Sequence, residues 1–329
     1  MAKPTVGMLS SYSGLTQSDW LWKQTPHPFG VWGHMQLQAQ AAQPDFLLLY
    51  QFDFHTQLAP QPWSTSQWIC HTLQTFRPDF KSANDLLDRL PAAFRTVPKA
   101  RIGFLLREPP LPEVLPQNLE NYAYAQHYCG YVSGPDDHAP TPAYMPAIWY
   151  VNLSFQDLAN GPIPEKPRPC SWITSGINRT ASHRQRLTFL QALQDSGAAV
   201  DLYGRGLPNW VNGGGELSNK WFGMAPYRYN LAIENYADND WYVSEKLWDA
   251  LLSWCLPIYY GGPAADALLP PGSFLRLPSL DEQGIRYIQE VIASPDAWHE
   301  ARAAIAEARQ VILHKLNLMN WLSEWVGVG

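Results

Sequence analysis

Residues 227–263 read YRYNLAIENYADNDWYVSEKLWDALLSWCLPIYYGGP and contain the clearest secondary-structure pattern of the chain. Residues 230–233 form an apolar run with the length of a buried strand. Asp238, Asn239 and Asp240 follow this run and are typical turn residues. The stretch therefore begins with a strand that ends in a polar loop.

A helix is predicted directly after this loop. Ser244 stands where a helix N-cap belongs, and apolar residues recur at helical spacing as far as Trp254. Pro257 is expected to end the helix, and residues 258–260 supply a second strand. Strand, loop, helix and strand make one βαβ unit, in which ligands bind at the carboxyl ends of the strands.

Glu245 and Lys246 lie in the first turn of this predicted helix. A cation is mildly unfavourable there, because the helix dipole is already positive. A bound phosphate would reverse that effect, since free N–H groups and the ammonium would both face an anion. Glu245 would then be placed to accept hydrogen bonds from a ribose diol, as acidic residues do at other nucleotide sites. The alternative is a solvated Glu–Lys pair on an ordinary helix, and spacing alone leaves both open.

The stretch resembles the family 10 glycosyltransferases, the α-1,3/1,4-fucosyltransferases. Their donor-site signature runs from a Tyr-Lys-Phe-x-Leu-x-Phe-Glu-Asn segment through Tyr-(Val/Ile)-Thr-Glu-Lys to Pro-(Ile/Val)-x-Tyr-Gly. Ser244 replaces the usual Thr, Arg228 replaces Lys, and the spacer after Asn235 is one residue longer than usual. The matching residues are Tyr227, Tyr229, Leu231, Glu234, Asn235, Tyr242, Val243, Glu245, Lys246, Leu247, Pro257, Ile258, Tyr260, Gly261 and Gly262.

This resemblance implies a GT-B fold, in which two Rossmann-like α/β domains face each other across a cleft. The donor would bind to the C-terminal domain and the acceptor to the N-terminal one. The implied reaction moves L-fucose from GDP-fucose to a hydroxyl of a GlcNAc-containing glycan, with inversion. Two alternatives stay open: another nucleotide sugar as donor, or a non-catalytic carbohydrate-binding relative.

The rest of the chain agrees with two α/β domains. At 329 residues it is long enough for two cores. Residues 161–169, GPIPEKPRP, hold four prolines and read as an extended linker between residues 1–160 and 170–329. Strands are predicted at 5–9, 45–50, 101–106, 171–175 and 200–203, and helices at 31–42, 83–94, 181–196 and 296–325.

Composition excludes several classes of protein. Charged residues make up 16% and aromatic residues 13%, which excludes a disordered chain. The net charge of −6 gives no basic field to attract nucleic acid or an anionic membrane. Four cysteines without a CxxC pair, Cys70, Cys129, Cys170 and Cys255, are expected to be reduced, mostly buried thiols.

No apolar run has membrane-spanning length. Golgi members of the resembled family carry an N-terminal anchor, so this chain is expected to be a bacterial-type soluble enzyme. The expected compartment is the cytoplasm, with a peripheral position at the inner membrane as an option.

An inverting sugar transfer needs a base for the acceptor hydroxyl and positive groups for the departing diphosphate. Glu108 follows the strand predicted at 101–106 and precedes two prolines, so its carboxylate should lie at the edge of the sheet. The resembled family places its proposed base in a similar Glu-Ser-Pro-like context. Glu108 is therefore the expected base, with Glu113 as a nearby rival.

The same resemblance assigns the donor site to Arg186, Asn235, Tyr242, Glu245 and Lys246. In the family, an arginine opens the first donor-domain helix seven residues before a leucine, a spacing that Arg186 and Leu193 fit. Arg184 is an alternative on the same helix turn. The joint presence of Glu108, Arg186, Glu245 and Lys246 argues against a decayed, non-catalytic relative.

No cofactor is expected beyond the donor substrate. Arg186 and Lys246 together would neutralise a diphosphate without a metal ion. The Asp-x-Asp at Asp238 and Asp240 invites comparison with a metal-binding motif of other glycosyltransferases, but these are also ordinary turn residues. A turn is the preferred interpretation, and a divalent metal is not expected to be essential.

Overall fold

The computed structural model describes residues 2–12, 14–15, 18–54 and 93–328, which contain two β-sheets. The first sheet has the strand order β2-β3-β1-β4-β5-β6-β7. Its neighbouring strands are parallel, except for the antiparallel pair β2–β3. The strands are β1 (Thr5–Leu9), β2 (Val31–Trp32), β3 (Met35–Leu37), β4 (Phe46–Tyr50), β5 (Ile102–Leu105), β6 (Tyr131–Gly134) and β7 (Thr141–Pro142).

The second sheet has five strands, in the order β12-β11-β10-β8-β9, and all of them are parallel. Parallel sheets need crossover connections, and helices cover such sheets on their faces. The strands are β8 (Arg168–Ser175), β9 (Val200–Arg205), β10 (Tyr227–Ile233), β11 (Leu256–Tyr260) and β12 (Leu275–Arg276).

Eleven α-helices lie in the described part of the chain. They are α1 (Ser18–Trp22), α2 (Ala93–Thr96), α3 (Leu115–Tyr128), α4 (Phe155–Asn160), α5 (Ala181–Asp195), α6 (Glu245–Leu252), α7 (Ala264–Leu268), α8 (Glu282–Ile292), α9 (Asp296–Glu300), α10 (Arg302–Gln310) and α11 (Leu318–Val328). Shorter 3-10 turns span Pro28–Gly30, Lys99–Arg101 and Lys220–Gly223, and a π-helical turn spans Val311–Leu316.

The βαβ unit predicted from residues 227–263 is present as β10, α6 and β11. Leu231 of β10 pairs with Ile258 of β11, and both side chains are buried. The prediction for Pro257 is wrong, because this residue lies inside β11 and does not end the helix. The helix ends earlier, and Trp254 then adopts a left-handed backbone conformation with a φ of 62°. Such a residue terminates many helices.

The helix predicted at residues 31–42 is also wrong, because β2 and β3 occupy the start of this segment. Gly33 has a φ of 50° and turns the chain between the two strands. Met35 and Leu37 are buried on either side of the half-buried Gln36. This period of two belongs to a strand and was missed at the sequence level.

The other predicted elements differ mainly at their ends. Strand β8 begins at Arg168, so the last two residues of the predicted linker belong to the sheet. The helical tail predicted at 296–325 is present, but as several helices in place of one. Asn317 interrupts the helical tail, because its ψ of 133° is extended and its backbone forms an isolated β-bridge with Ala147. Nearly all of the helix predicted at 83–94 falls outside the described residues.

The last helix returns to the first sheet. The Trp325 ring of α11 lies 5.3 Å from the Phe46 ring of β4, in an edge-to-face arrangement. One contiguous apolar cluster accordingly contains buried side chains from both sheets and from α11. Helix α11, at the C-terminal end of the second half, therefore packs against the first half of the chain.

The cysteine prediction is confirmed where the structure describes it. Cys129, Cys170 and Cys255 are buried and free, and Cys70 lies outside the described residues. Within the described ranges, every helix is too short or too polar to cross a lipid bilayer.

Candidate active site

The start of helix α6 is already capped from within the chain. Ser244 is the N-cap, and its Oγ accepts a hydrogen bond from the Lys246 backbone N–H at 3.4 Å. The backbone N–H of Ser244 donates to Oε1 of Glu234 at 2.8 Å. The expectation that free N–H groups would face an anion here therefore needs correction, because two of these groups have partners. At the start of α6, the Lys246 side chain is therefore the main positive group that could face an anion.

The Lys246 ammonium forms an ion pair with a buried carboxylate. Its Nζ lies 3.1 Å from Oε2 of Glu234 and 3.0 Å from Oγ of Ser244. Burial by itself would lower the pKa of Lys246, but Glu234 and Glu245 raise it above its ordinary value. Lys246 is therefore a fixed cation at neutral pH.

Arg186 is a second cation at the same edge of the sheet. Its side chain is buried on α5, where Nη1 donates to Oδ1 of Asn235 at 2.6 Å and Nη2 donates to the Ser175 carbonyl at 2.9 Å. Its Nε is buried and has no hydrogen-bond partner among the described residues. Burial lowers the pKa of Arg186 to about 10. A buried guanidinium held by neutral partners is suited to receive an anion.

Arg184 is placed differently from Arg186. It is exposed, and its Nη1 donates to the carbonyl groups of Asn178 and Arg179 at 3.3 Å each. The structure thus separates the two arginines that the sequence left as alternatives.

Tyr242 and Asn235 lie beside Arg186. The Tyr242 side chain is buried, and its ring lies 6.4 Å from the Tyr236 ring. Burial and the nearby Glu234 raise the pKa of Tyr242 well above its ordinary value, so it remains a neutral phenol. The donor-site residues predicted from the signature are therefore gathered at one end of β10.

The segment with Asp238 and Asp240 is a turn held by the residue between them. Oδ1 of Asn239 accepts from the backbone N–H groups of Trp241 and Tyr242 at 3.1 and 2.9 Å. Asp238 and Asp240 are exposed. In the part of the chain that the structure describes, no three His, Cys, Asp or Glu side chains are grouped to hold a metal ion.

Glu245 faces a cation that the sequence analysis missed. Arg107 follows β5 and donates from Nη2 to Oε2 of Glu245, and its Nη1 donates to the Tyr150 hydroxyl at 2.8 Å. Burial alone would raise the pKa of Glu245, but Lys246, Arg107 and Lys220 together hold it well below its ordinary value. Glu245 is thus a carboxylate surrounded by cations from both halves of the chain.

Lys220 and Asp249 complete this cluster. Lys220 Nζ lies 2.8 Å from Oδ2 of the fully buried Asp249 and 3.9 Å from Oε1 of Glu245. The backbone N–H of Tyr150 donates to Oδ1 of Asp249 at 2.7 Å. The one available signal was Asp249 itself, an acidic residue on the apolar face of α6. Nothing in the sequence pattern pointed to Lys220.

Glu108 lies at the carboxyl end of β5, next to Arg107. Its side chain is exposed and accepts a hydrogen bond from the Tyr12 hydroxyl. The backbone N–H groups of Arg107 and Glu108 both donate to Oε1 of Gln51, at 2.7 and 3.1 Å. The backbone at Glu108 is therefore fixed, while the carboxylate remains accessible.

The rival carboxylate has a different partner. Oε1 of Glu113 accepts from the backbone N–H of Ala181, the first residue of α5, at 2.9 Å. This hydrogen bond lowers the pKa of Glu113. Glu113 thus contacts a helix start in the second half of the chain.

Comparison with a solved structure defines the class of fold. An alpha-glucosyltransferase in complex with UDP and a 13-mer DNA containing a HMU base superposes with a TM-score of 0.55 at 9% identity. The superposition covers 99% of this chain and 99% of that one. Together with the two parallel sheets, this likeness shows a GT-B glycosyltransferase fold.

Comparison of the sequence with family models gives a narrower match for the second half of the chain. Residues 163–300 match the family model described as Glycosyltransferase family 10 (fucosyltransferase) C-term. The resemblance read from the signature is therefore confirmed for this segment.

Two curated relatives match in shorter segments. GDP-fucose protein O-fucosyltransferase 3 of Xenopus tropicalis is 38% identical over 79 residues, which are 22% of this chain and 17% of that protein. Alpha-(1,3)-fucosyltransferase 7 of Mus musculus is 31% identical over 123 residues, which are 35% of this chain and 28% of that protein. The chain thus matches less than a third of either relative's length.

Proposed function

We propose that this protein is an inverting fucosyltransferase that moves L-fucose from GDP-fucose to a hydroxyl of a GlcNAc-containing glycan. The observation that carries the proposal is the grouping of Arg186, Lys246 and Glu245 at one edge of the second sheet, within a family 10 domain. Two cations and a carboxylate at the carboxyl ends of parallel strands suit a nucleotide diphosphate and its ribose.

Each donor-site residue has a role in this proposal. Arg186 and Lys246 hold the diphosphate and stabilise the charge that develops on it as the sugar leaves. Arg186 is held by Asn235, and Tyr242 closes the site as a buried neutral ring. Glu245 accepts hydrogen bonds from the ribose hydroxyls, so that Arg107 must share this carboxylate with the nucleotide or release it.

The acceptor side of the proposal rests on Glu108. We assign residues 1–160 to an acceptor half and residues 170–329 to a donor half. Glu108 is exposed in the first half, and its neighbour Arg107 contacts Glu245 in the second. The base would thus lie close to the donor, which is the arrangement that direct displacement at the fucose C1 requires.

No metal ion is part of this proposal. The cationic side chains provide the electrostatic stabilisation that a divalent ion supplies in other transferases. Asn239, which holds the turn between Asp238 and Asp240, gives that segment a structural role.

The alternatives differ in what they bind. A transferase for another nucleotide sugar would bind that donor more tightly than GDP-fucose, and a non-catalytic carbohydrate-binding relative would bind glycans without turnover. Isothermal titration with GDP, GDP-fucose, GDP-mannose and UDP-sugars identifies the donor, and an assay for a fucosylated product separates the enzyme from the non-catalytic relative. We expect GDP and GDP-fucose to bind and UDP-sugars not to bind. A preference for UDP-sugars would refute the donor assignment.

A further inference from the structure

Glu234 has no role in the transfer as proposed above, yet its carboxylate lies directly beneath the donor site. Its side chain is fully buried. Oε1 accepts from the Ser244 backbone N–H at 2.8 Å, and Oε2 accepts from the Ser244 hydroxyl at 2.7 Å and from Lys246 Nζ at 3.1 Å. A carboxylate removed from water is costly unless it is fully paired, and this one is paired at both oxygens.

The sheet holds Glu234 in place. It directly follows β10, and its backbone N–H donates to the Tyr260 carbonyl at 2.8 Å, at the end of β11. A lysine side chain is long and flexible, so its ammonium is not positioned by its own backbone alone. Through Glu234, the Lys246 ammonium is fixed relative to the second sheet.

This contact also limits what remains free on Lys246. An ammonium has three N–H donors. Glu234 and the Ser244 hydroxyl accept two of them. The Lys246 side chain is 22% exposed, so the third donor is left for a ligand.

The Glu234 carboxylate helps to keep Lys246 protonated among the neighbouring charges. Two cations, Arg186 on α5 and Lys220 in the 3-10 turn, act against its ammonium form, as burial does. Two carboxylates, Glu234 and Glu245, act in its favour and outweigh them. Among the described residues, the titratable and charged groups that face Lys246 and Glu234 are Arg186, His183, Lys220, Tyr242, Tyr259, Glu245 and each other.

We propose that Glu234 is a positioning residue that fixes the Lys246 ammonium, with one N–H directed to the diphosphate of the nucleotide. The proposal rests on the proposed function, because it assumes that a nucleoside diphosphate binds at Lys246. Glu234 does not touch the ligand and acts through Lys246 alone.

The test compares GDP affinity of the full chain and of Glu234→Gln from pH 6.5 to pH 9.5 by isothermal titration. Glutamine keeps the shape and can still bond with Ser244, but it removes the negative charge. Without that charge, burial, Arg186 and Lys220 bring the pKa of Lys246 down, so the ammonium is lost as the pH rises. The ratio of the two dissociation constants at each pH cancels the titration of GDP itself.

We expect this ratio to lie within about threefold of one at pH 6.5 and to reach at least about tenfold at pH 9.5. In a Lys246→Met background, the ratio of the dissociation constants with and without Glu234→Gln should not change with pH. With Lys246 present, a ratio that does not change with pH would indicate a purely structural residue and overturn the proposal. Tighter GDP binding by Glu234→Gln at every pH would also overturn it, since Glu234 would then only repel the phosphate.

A second variant keeps the proposal testable if Glu234→Gln does not fold. Glu234→Asp keeps the negative charge but draws it back by one methylene from the Lys246 ammonium and the Ser244 hydroxyl. It should weaken GDP by about two- to tenfold but have no such effect in a Lys246→Met background, and unchanged affinity, or an equal loss in that background, would contradict the proposal. If the unaltered protein does not bind GDP at all, the proposed function fails, which is a distinct result.

Discussion

Arg107 and Glu245 form an ion pair that joins the end of β5 in the first sheet to the first residue of α6 beside the second. Arg107 precedes the proposed base, and Glu245 is the proposed ribose partner. This ion pair therefore links the segment of the proposed base directly to the proposed ribose partner, with 15% and 21% of the two side chains exposed.

A double-mutant cycle measures this contact. Arg107→Met leaves the Glu245 carboxylate without its nearest cation, and losing one partner of a buried pair costs about 3–5 kcal/mol. Lys220 and Lys246 remain near Glu245, so we expect the lower end of that range. Glu245→Gln in the Arg107→Met protein should recover part of the free energy of unfolding, as measured by urea titration of all four proteins.

The matched control is Arg286→Met. Arg286 pairs with Glu282 at 3.9 Å with both side chains mostly exposed, and such pairs contribute less than about 1 kcal/mol. Equal losses for Arg107→Met and Arg286→Met would show that the contact between the halves is no stronger than a surface pair.

Lys246→Ala should weaken GDP much more than it weakens any acceptor glycan. A hydrogen bond to a charged group is worth about 1.5–3 kcal/mol, which corresponds to about 10- to 150-fold in the dissociation constant. Isothermal titration measures the dissociation constant of GDP. Lys315 is exposed, so Lys315→Ala is a control that should bind GDP like the unaltered protein. Equal GDP affinity in Lys246→Ala and the unaltered protein would refute the donor assignment.

Chelation should leave turnover intact. Arg186 and Lys246 are proposed to stabilise the negative charge on the leaving diphosphate without a metal ion, so EDTA should not reduce the rate of transfer. The double variant Asp238→Asn with Asp240→Asn should also remain active, because Asn239 holds that turn. The prediction fails if EDTA abolishes activity and manganese restores it.

Glu108→Gln should lower kcat by about 10²- to 10⁴-fold, the usual contribution of a general base, while GDP affinity stays nearly unchanged. Steady-state kinetics and GDP titration on the same preparation provide both numbers. Glu113→Gln is the control, since glutamine can still accept the hydrogen bond from Ala181. If the control loses activity and Glu108→Gln does not, the base has been assigned to the wrong carboxylate.

Local patterns predicted the βαβ unit because its signals are local. The apolar run of β10, the Ser244 cap and the spacing of α6 each depend on neighbours within a few residues. The prediction of a helix at 31–42 was wrong although its signals are also local. The turn at the left-handed Gly33 and the alternation around Gln36 were weaker signals than the overall apolar content of the segment.

The cluster around Glu245 was beyond such reasoning. Arg107, Lys220 and Tyr150 come from three separate segments, and only the packing of the two sheets brings them to α6. Asp249 was a partial exception, because a carboxylate on an apolar helix face requires a buried partner. The resemblance supplied Arg186, although spacing alone could not distinguish it from Arg184.

Fucosyl transfer with inversion can be tested by the anomeric configuration of the product. GDP-fucose and a GlcNAc-containing oligosaccharide would be incubated with the protein, and the fucosylated product analysed by NMR. We predict a new fucosidic bond whose anomeric configuration is opposite to that of the donor. Retained configuration, or no transfer by a protein that binds GDP-fucose, would contradict the account.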